Sequence, residues 1–181
     1  MMGNINKISD IECFKNLLYN FIADARKVVI MGVGNLLRGD DAIGIKIIED
    51  LKEKFHSLLL LNKSVILLNC GFSPENFLGK LETISPSHII IIDAVEMGST
   101  PGSIGVFRKE DLIGFVTIST HNISPELLFT FLEDVIGAKV LLLGIQPKNL
   151  NFCEEISNEV CEAASIVIDV LLDVIKNVKN S

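Results

Sequence analysis

Three places along the chain carry side chains that could act on a cation or a carbonyl group. Asp40 and Asp41 close a glycine-rich turn in GVGNLLRGDDAIG (residues 32 to 44), Asp93 ends the apolar run IIIID, and His121 lies in the polar stretch STHNISPELL. Asp41, Asp93 and His121 together would offer two carboxylate oxygens and one imidazole nitrogen. Such a set suits a divalent transition metal acting as a Lewis acid, with positions left open for water or substrate. The three are far apart in the chain, so only the fold can make them converge.

Each residue also has a simpler explanation. A strand, a glycine turn and a helix often mark a dinucleotide site, but that fingerprint needs a third small residue where Leu37 stands, and its ribose-binding acid belongs about 20 residues further on. Two carboxylates would also repel a pyrophosphate. Acids at a helix start cap free N–H groups and favour the macrodipole, and this alone accounts for the pair. Capping needs one acid, however. Asp40 suits the cap, which lets Asp41 project from the first turn into a cleft. Asp93, directly beyond a buried strand, must be paired, hydrogen-bonded or metal-bound, and a loop cap on nearby backbone donors is the plain alternative. His88 begins a strand, at the end opposite any such cleft, and His56 ends a predicted helix where a cation complements the carbonyl dipole. His121 sits in a turn before a helix opened by Ser124 and Pro125.

The elements that must position these groups follow from hydrophobic pattern. VVIMGVG (28 to 34), VILLN (65 to 69), IIIID (89 to 93) and VLLLGI (140 to 145) are continuously apolar, as strands buried on both faces of a mainly parallel sheet are. Helical spacing over about 41 to 56, 74 to 83, 124 to 136 and 153 to 178 alternates with them. SIGVF (103 to 107) follows the third strand too soon for a parallel crossover and is expected as an antiparallel strand near the edge. Residues 9 to 25 read as a further helix, with Ser9 and Glu12 in a capping-box pattern, packed on the domain as an added layer. The expected fold is therefore α/β, a three-layer sandwich: a mainly parallel twisted sheet of about five strands with one antiparallel edge strand, helices on both faces and an extra N-terminal helix. Ligands of open α/β sheets bind beyond the carboxyl ends of the strands. That points to Gly34 to Asp41, Cys70 to Glu75, Asp93 to Gly98 and Gln146 to Asn149.

Composition narrows the class. With 181 residues, 49% of them hydrophobic, one well-buried core is expected. A net charge of −7, with no Lys/Arg stripe, argues against a nucleic-acid partner. Cys13, Cys70, Cys153 and Cys161 match no zinc or redox spacing. The start MMGNINKISDIE has acids where a signal peptide needs an apolar region, and the apolar stretches are interrupted by Asn62 and Lys63 or by Asp169 and Asp173. A cytoplasmic protein without membrane insertion is expected.

The segments GVGNLLRGDDAIG, GFSPEN, IIDAVEMGSTPGSI, STHNISPELL and LLLGIQP, in this order, resemble the nickel-iron hydrogenase maturation endopeptidases, most closely the branch that processes the large subunit of the formate hydrogenlyase hydrogenase. The resemblance covers about residues 27 to 150, which leaves 1 to 26 as an N-terminal helical extension and makes 27 to 181 the protease domain. It implies an aspartic-type or nickel-assisted peptidase that recognises nickel already installed in the large-subunit precursor and removes a carboxyl-terminal extension. Its metal-contacting and catalytic acids fall on Asp41 and Asp93, and its metal-contacting histidine on His121. Nickel is then supplied by the substrate, although another divalent metal can occupy such a site. Some members carry Glu at the first position, and relatives often have Asp-Gly-Gly where this chain has Asn69, Cys70 and Gly71.

Two mechanisms stay open under that resemblance. Nickel bridged to Asp41, Asp93 and His121 can position or polarise the scissile region for water attack, or a carboxylate can act as general base while nickel serves recognition alone. Outside it stand a non-catalytic nickel-binding escort of the precursor and a cysteine hydrolase pairing Cys70 with His121. A serine hydrolase lacks the G-x-S-x-G elbow.

Overall fold

The computed structural model describes residues 6–7, 10–61, 64–112 and 123–176, and side-chain burial for 10–54, 64–112 and 123–176. His121 and the first residues of its motif lie outside the described residues. The four continuous apolar runs form the parallel heart of the sheet: β2 (Val28–Val33), β3 (Val65–Gly71), β4 (His88–Ala94) and β6 (Lys139–Ile145). β5 (Ile104–Phe107) pairs antiparallel with β6, as its short connection requires. A two-residue strand, β1 (Asn6–Lys7), pairs antiparallel with the outer side of β5. The order is therefore β1-β5-β6-β4-β2-β3, the expected five strands and this sixth short one.

Continuous burial along β2 has a simple cause. Val28 and Ile30 enter one core with α1 (Ile11–Ile22), α2 (Ile43–Leu61) and α5 (Asn158–Ile175), while Val29, Met31 and Val33 enter a second core with α3 (Leu78–Ile84) and α4 (Pro125–Thr130). Both faces of the strand are covered, so the period of two leaves no polar positions. Burying a side chain such as Ile30 contributes roughly 1.5–3 kcal/mol.

Several boundaries differ from expectation for local reasons. The cap of α1 is Asp10, not Ser9; its carboxylate accepts from the Glu12 N–H at 3.1 Å. Phe14 and Leu18 of α1 are fully buried, and Tyr19 donates its hydroxyl to Asp173 of α5 at 3.1 Å, so this helix shares one core with the rest of the chain. The helix expected from residue 41 begins as a 3-10 turn over Gly39–Ala42, and α2 then runs on to Leu61, so His56 does not end it. Cys70 lies inside β3, not beyond it.

β2 and α2 are pressed together at glycines. A Cβ on Gly44 would stand 2.2 Å from the Ile92 carbonyl oxygen and 2.3 Å from that of Val33, and one on Gly32 would stand 2.2 Å from the carbonyl of Gly44. Gly44→Ala should cost about 3 kcal/mol or more, because neither neighbour is a side chain that can swing away. Gly79→Ala, in α3 with nothing within 4 Å of its Cβ, should instead gain about 0.5–1 kcal/mol. Urea unfolding of both variants checks the contrast.

Candidate functional site

The chain leaves β2 to form β3 on one side, then returns across β2 to form β4 on the other. Its crossover helices, α2 and α3, lie on opposite faces, which makes the carboxyl ends of β2 and β4 the position where open α/β sheets form their ligand crevice. Asp41 stands in the turn after β2, and Asp93 is the penultimate residue of β4. The 3-10 turn that carries Asp41 packs against β4. The fold thus brings the two acids, 52 positions apart, to one end of neighbouring strands.

Glycines set how closely the turn can sit. Gly34 has φ of 146°, and a Cβ there would fall 1.8 Å from the Asp41 carbonyl oxygen, which accepts from the Asn35 N–H at 3.1 Å. Asp41 is consequently held against the end of β2 and is only 2% exposed. It is a covered carboxylate beside the crevice, not one projecting into open solvent. Asp93 is half-buried; its Oδ1 accepts from the Ala94 N–H at 2.8 Å. It borders a cavity of about 30 Å³ whose other lining residues, among them Val33, Pro74, Ile123, Pro125 and Leu142, are apolar. No cluster of three potential metal ligands occurs among the described residues, and His121 lies outside them.

Asp40 does not cap its own helix, as the sequence suggested. The carboxylate is fully buried and turns the other way, toward the segment after β6. Oδ2 accepts from the backbone N–H groups of Lys148 and Asn149 at 2.7 and 2.8 Å, and Oδ1 from the N–H of Ser157, the α5 cap, at 2.6 Å. The Ser157 hydroxyl lies 2.8 Å from both oxygens. Burial alone would push this carboxyl up, but the donors from Ser157, Asn149 and Lys148 outweigh it and hold the group below the ordinary carboxylate range. Asp40 is therefore the anchor that ties the segment after β6 to the turn carrying Asp41.

Gln146 plays the matching part on the other side, a role that the sequence marked only by its place after VLLLGI. Its buried side chain accepts from the N–H groups of Met97 and Ser99 at 2.7 and 3.2 Å and donates to Glu96 at 2.7 Å. The loop after Asp93 is fixed by these bonds. Cys70 offers no activated nucleophile: it is 4% exposed, and burial pushes its thiol up to about 12. His88 is buried at the opposite end of the sheet, as expected, with Nδ1 3.0 Å from the Ser87 hydroxyl and Nε2 3.3 Å from Asp24.

Comparison with known proteins bears on the family and the fold. The family model described as HycI, hydrogenase maturation protease, matches residues 45–174. A protein of Methanocaldococcus jannaschii is 34% identical over 167 residues, covering 91% of this chain and 98% of its own. The hydrogenase 3 maturation protease of Escherichia coli is 32% identical over 139 residues, 77% of this chain and 85% of that one. The crystal structure of the [NiFe] hydrogenase maturation protease HycI from Thermococcus kodakarensis superposes with a TM-score of 0.79 at 29% identity, covering 89% of this chain and 99% of the other.

The Asp40 anchor has a measurable pH signature. Its folded-state value is depressed, so the stability it contributes is present above the unfolded value near 3.9 and is lost as pH falls through the folded value. Asp40→Asn should cost about 2–3 kcal/mol at pH 7, and the gap from wild type should narrow as the pH is lowered below about 4. Denaturant unfolding across that range measures both.

Proposed function

The chain belongs to the hydrogenase maturation protease family, and on that premise we propose that it is the endopeptidase that removes a carboxyl-terminal extension from a nickel-iron hydrogenase large-subunit precursor once nickel is in place. Asp41, Asp93 and His121 are the residues that meet the substrate's nickel, and Asp41 and Asp93 are the acids next to the scissile bond. The observation that carries the reading is the pairing of two carboxylates at the carboxyl ends of β2 and β4, beside the crevice where open α/β sheets bind their ligands. Ile123 and Pro125, which follow His121 closely in the chain, border the cavity that Asp93 also lines, in keeping with a third donor from that segment.

Nickel arrives with the substrate in this scheme. The protein contributes anionic oxygens fixed by backbone packing, which favour a cation over a phosphate and hold the nearby polypeptide in a defined orientation. In this scheme a carboxylate takes the proton of the water that adds to the peptide carbonyl. The proton passes to the leaving amine, and two shorter chains result. A thiol nucleophile is disfavoured by the burial of Cys70 and its raised titration. No helix among the described residues is long and apolar enough to cross a membrane.

Mass spectrometry of a nickel-loaded precursor incubated with the purified protein tests the reading. Wild type and Cys70→Ala should both release a carboxyl-terminal peptide, and Asp41→Asn, Asp93→Asn and His121→Gln should each slow release by about a hundredfold or more. The nickel-free precursor should stay intact. Cleavage at equal rates with and without nickel would remove the metal from the scheme, and equal cleavage by all variants would remove the three residues.

A further inference from the structure

Large apolar side chains are exposed on adjoining turns at the carboxyl edge of the sheet. Leu36 and Leu37, in the turn that leads to Asp41, are 60% and 56% exposed, and Phe152 is 65% exposed. They are neighbours through the backbone, because the Cys153 N–H donates to the Leu37 carbonyl at 2.8 Å. Phe72 follows Gly71, whose carbonyl accepts from the Gly34 N–H at 2.9 Å, and is 54% exposed beside the same turn. Apolar patches rimmed by polar groups mark sites where another macromolecule is gripped.

The rim has a sign. Glu154 and Glu155, next to Phe152 in the chain, are exposed and enter none of the ion pairs among the described residues. Lys148 is paired with Glu159 at 2.7 Å, and Arg38, which donates to the Leu150 carbonyl at 3.3 Å and keeps its charge, offsets one of the two acids, so the rim stays net negative. A partner segment that is apolar and carries positive charge complements this rim.

We propose that Leu36, Leu37 and Phe152, with Phe72 beside them, seat an apolar segment of the polypeptide substrate whose Lys or Arg faces Glu154 and Glu155. The proposal rests on the protease reading above, which requires a protein substrate to reach Asp41. Leu36 and Leu37 lie five and four residues before that acid, so a segment gripped there is brought to it directly. The Asp40 anchor matters here as well, since it fixes the Phe152 segment against the Leu37 turn.

The test uses the full chain and a large-subunit precursor that retains its extension, with Kd from calorimetry and KM and kcat from cleavage. The triple variant Leu36→Ser, Leu37→Ser, Phe152→Ser should raise Kd and KM at least about tenfold and leave kcat at saturation within about twofold. Ile11→Ser with Val135→Ser, two exposed apolar residues outside this rim, should change neither. Glu154→Gln with Glu155→Gln should weaken binding about threefold at low salt and flatten its salt dependence. An unchanged Kd in a folded triple variant, an equal loss in the control pair, or no binding by wild type overturns the seat. Binding by wild type without cleavage would sink the protease reading alone, because the Kd comparison still decides the seat.

Discussion

The start of α2 rests directly on the backbone of β2 and β4, with Gly44 against the carbonyl oxygens of Val33 and Ile92 and Gly32 against the carbonyl of Gly44. Any side chain at these positions would push the helix off the sheet by the depth of a methyl group or more. That separation would carry the Asp41 turn away from Asp93, because the 3-10 turn is continuous with α2. Close-packed interiors transmit such displacements instead of absorbing them. The glycines of GVGNLLRGDDAIG thus do for a helix and two strands what glycines of a dinucleotide motif do for a phosphate, allowing backbone to approach backbone.

Asp40 and Asp41 are neighbours with opposite assignments, and the division follows from direction. Asp40 points to the segment after β6 and satisfies three backbone N–H groups and a hydroxyl, so its charge is consumed by structure. Asp41 is covered as well, 2% exposed, with its backbone carbonyl accepting from the Asn35 N–H. An anionic anchor beneath a second anion would be costly if both faced the same space. Turning Asp40 to the backbone donors after β6 separates it from its neighbour.

Gln146 and Asp40 together fix the two loops that flank the crevice. One holds the loop after Asp93, the other the segment that presents Phe152. Loops this well bonded hold an apolar, acid-edged surface in one arrangement, which reduces the ordering cost of gripping a protein substrate.

Continuous apolar runs such as IIIID determined the parallel strands, because a strand covered on both faces has no polar positions to lose, and the short span before SIGVF determined an antiparallel neighbour. Asp41 and Asp93 were legible as candidates because carboxylates at the ends of buried strands need a reason. The sequence did not show the Asp40 network, since its donors are backbone N–H groups 108 to 117 residues away that carry no residue-type signal. Nor did it show Asp10 as the helix cap, a choice between neighbours decided by local backbone angles. Periodicity and residue type act over a few positions and are written in the chain; which acid is spent on structure, and which two meet at a crevice, depends on distant backbone brought close, and only the tertiary fold decides that.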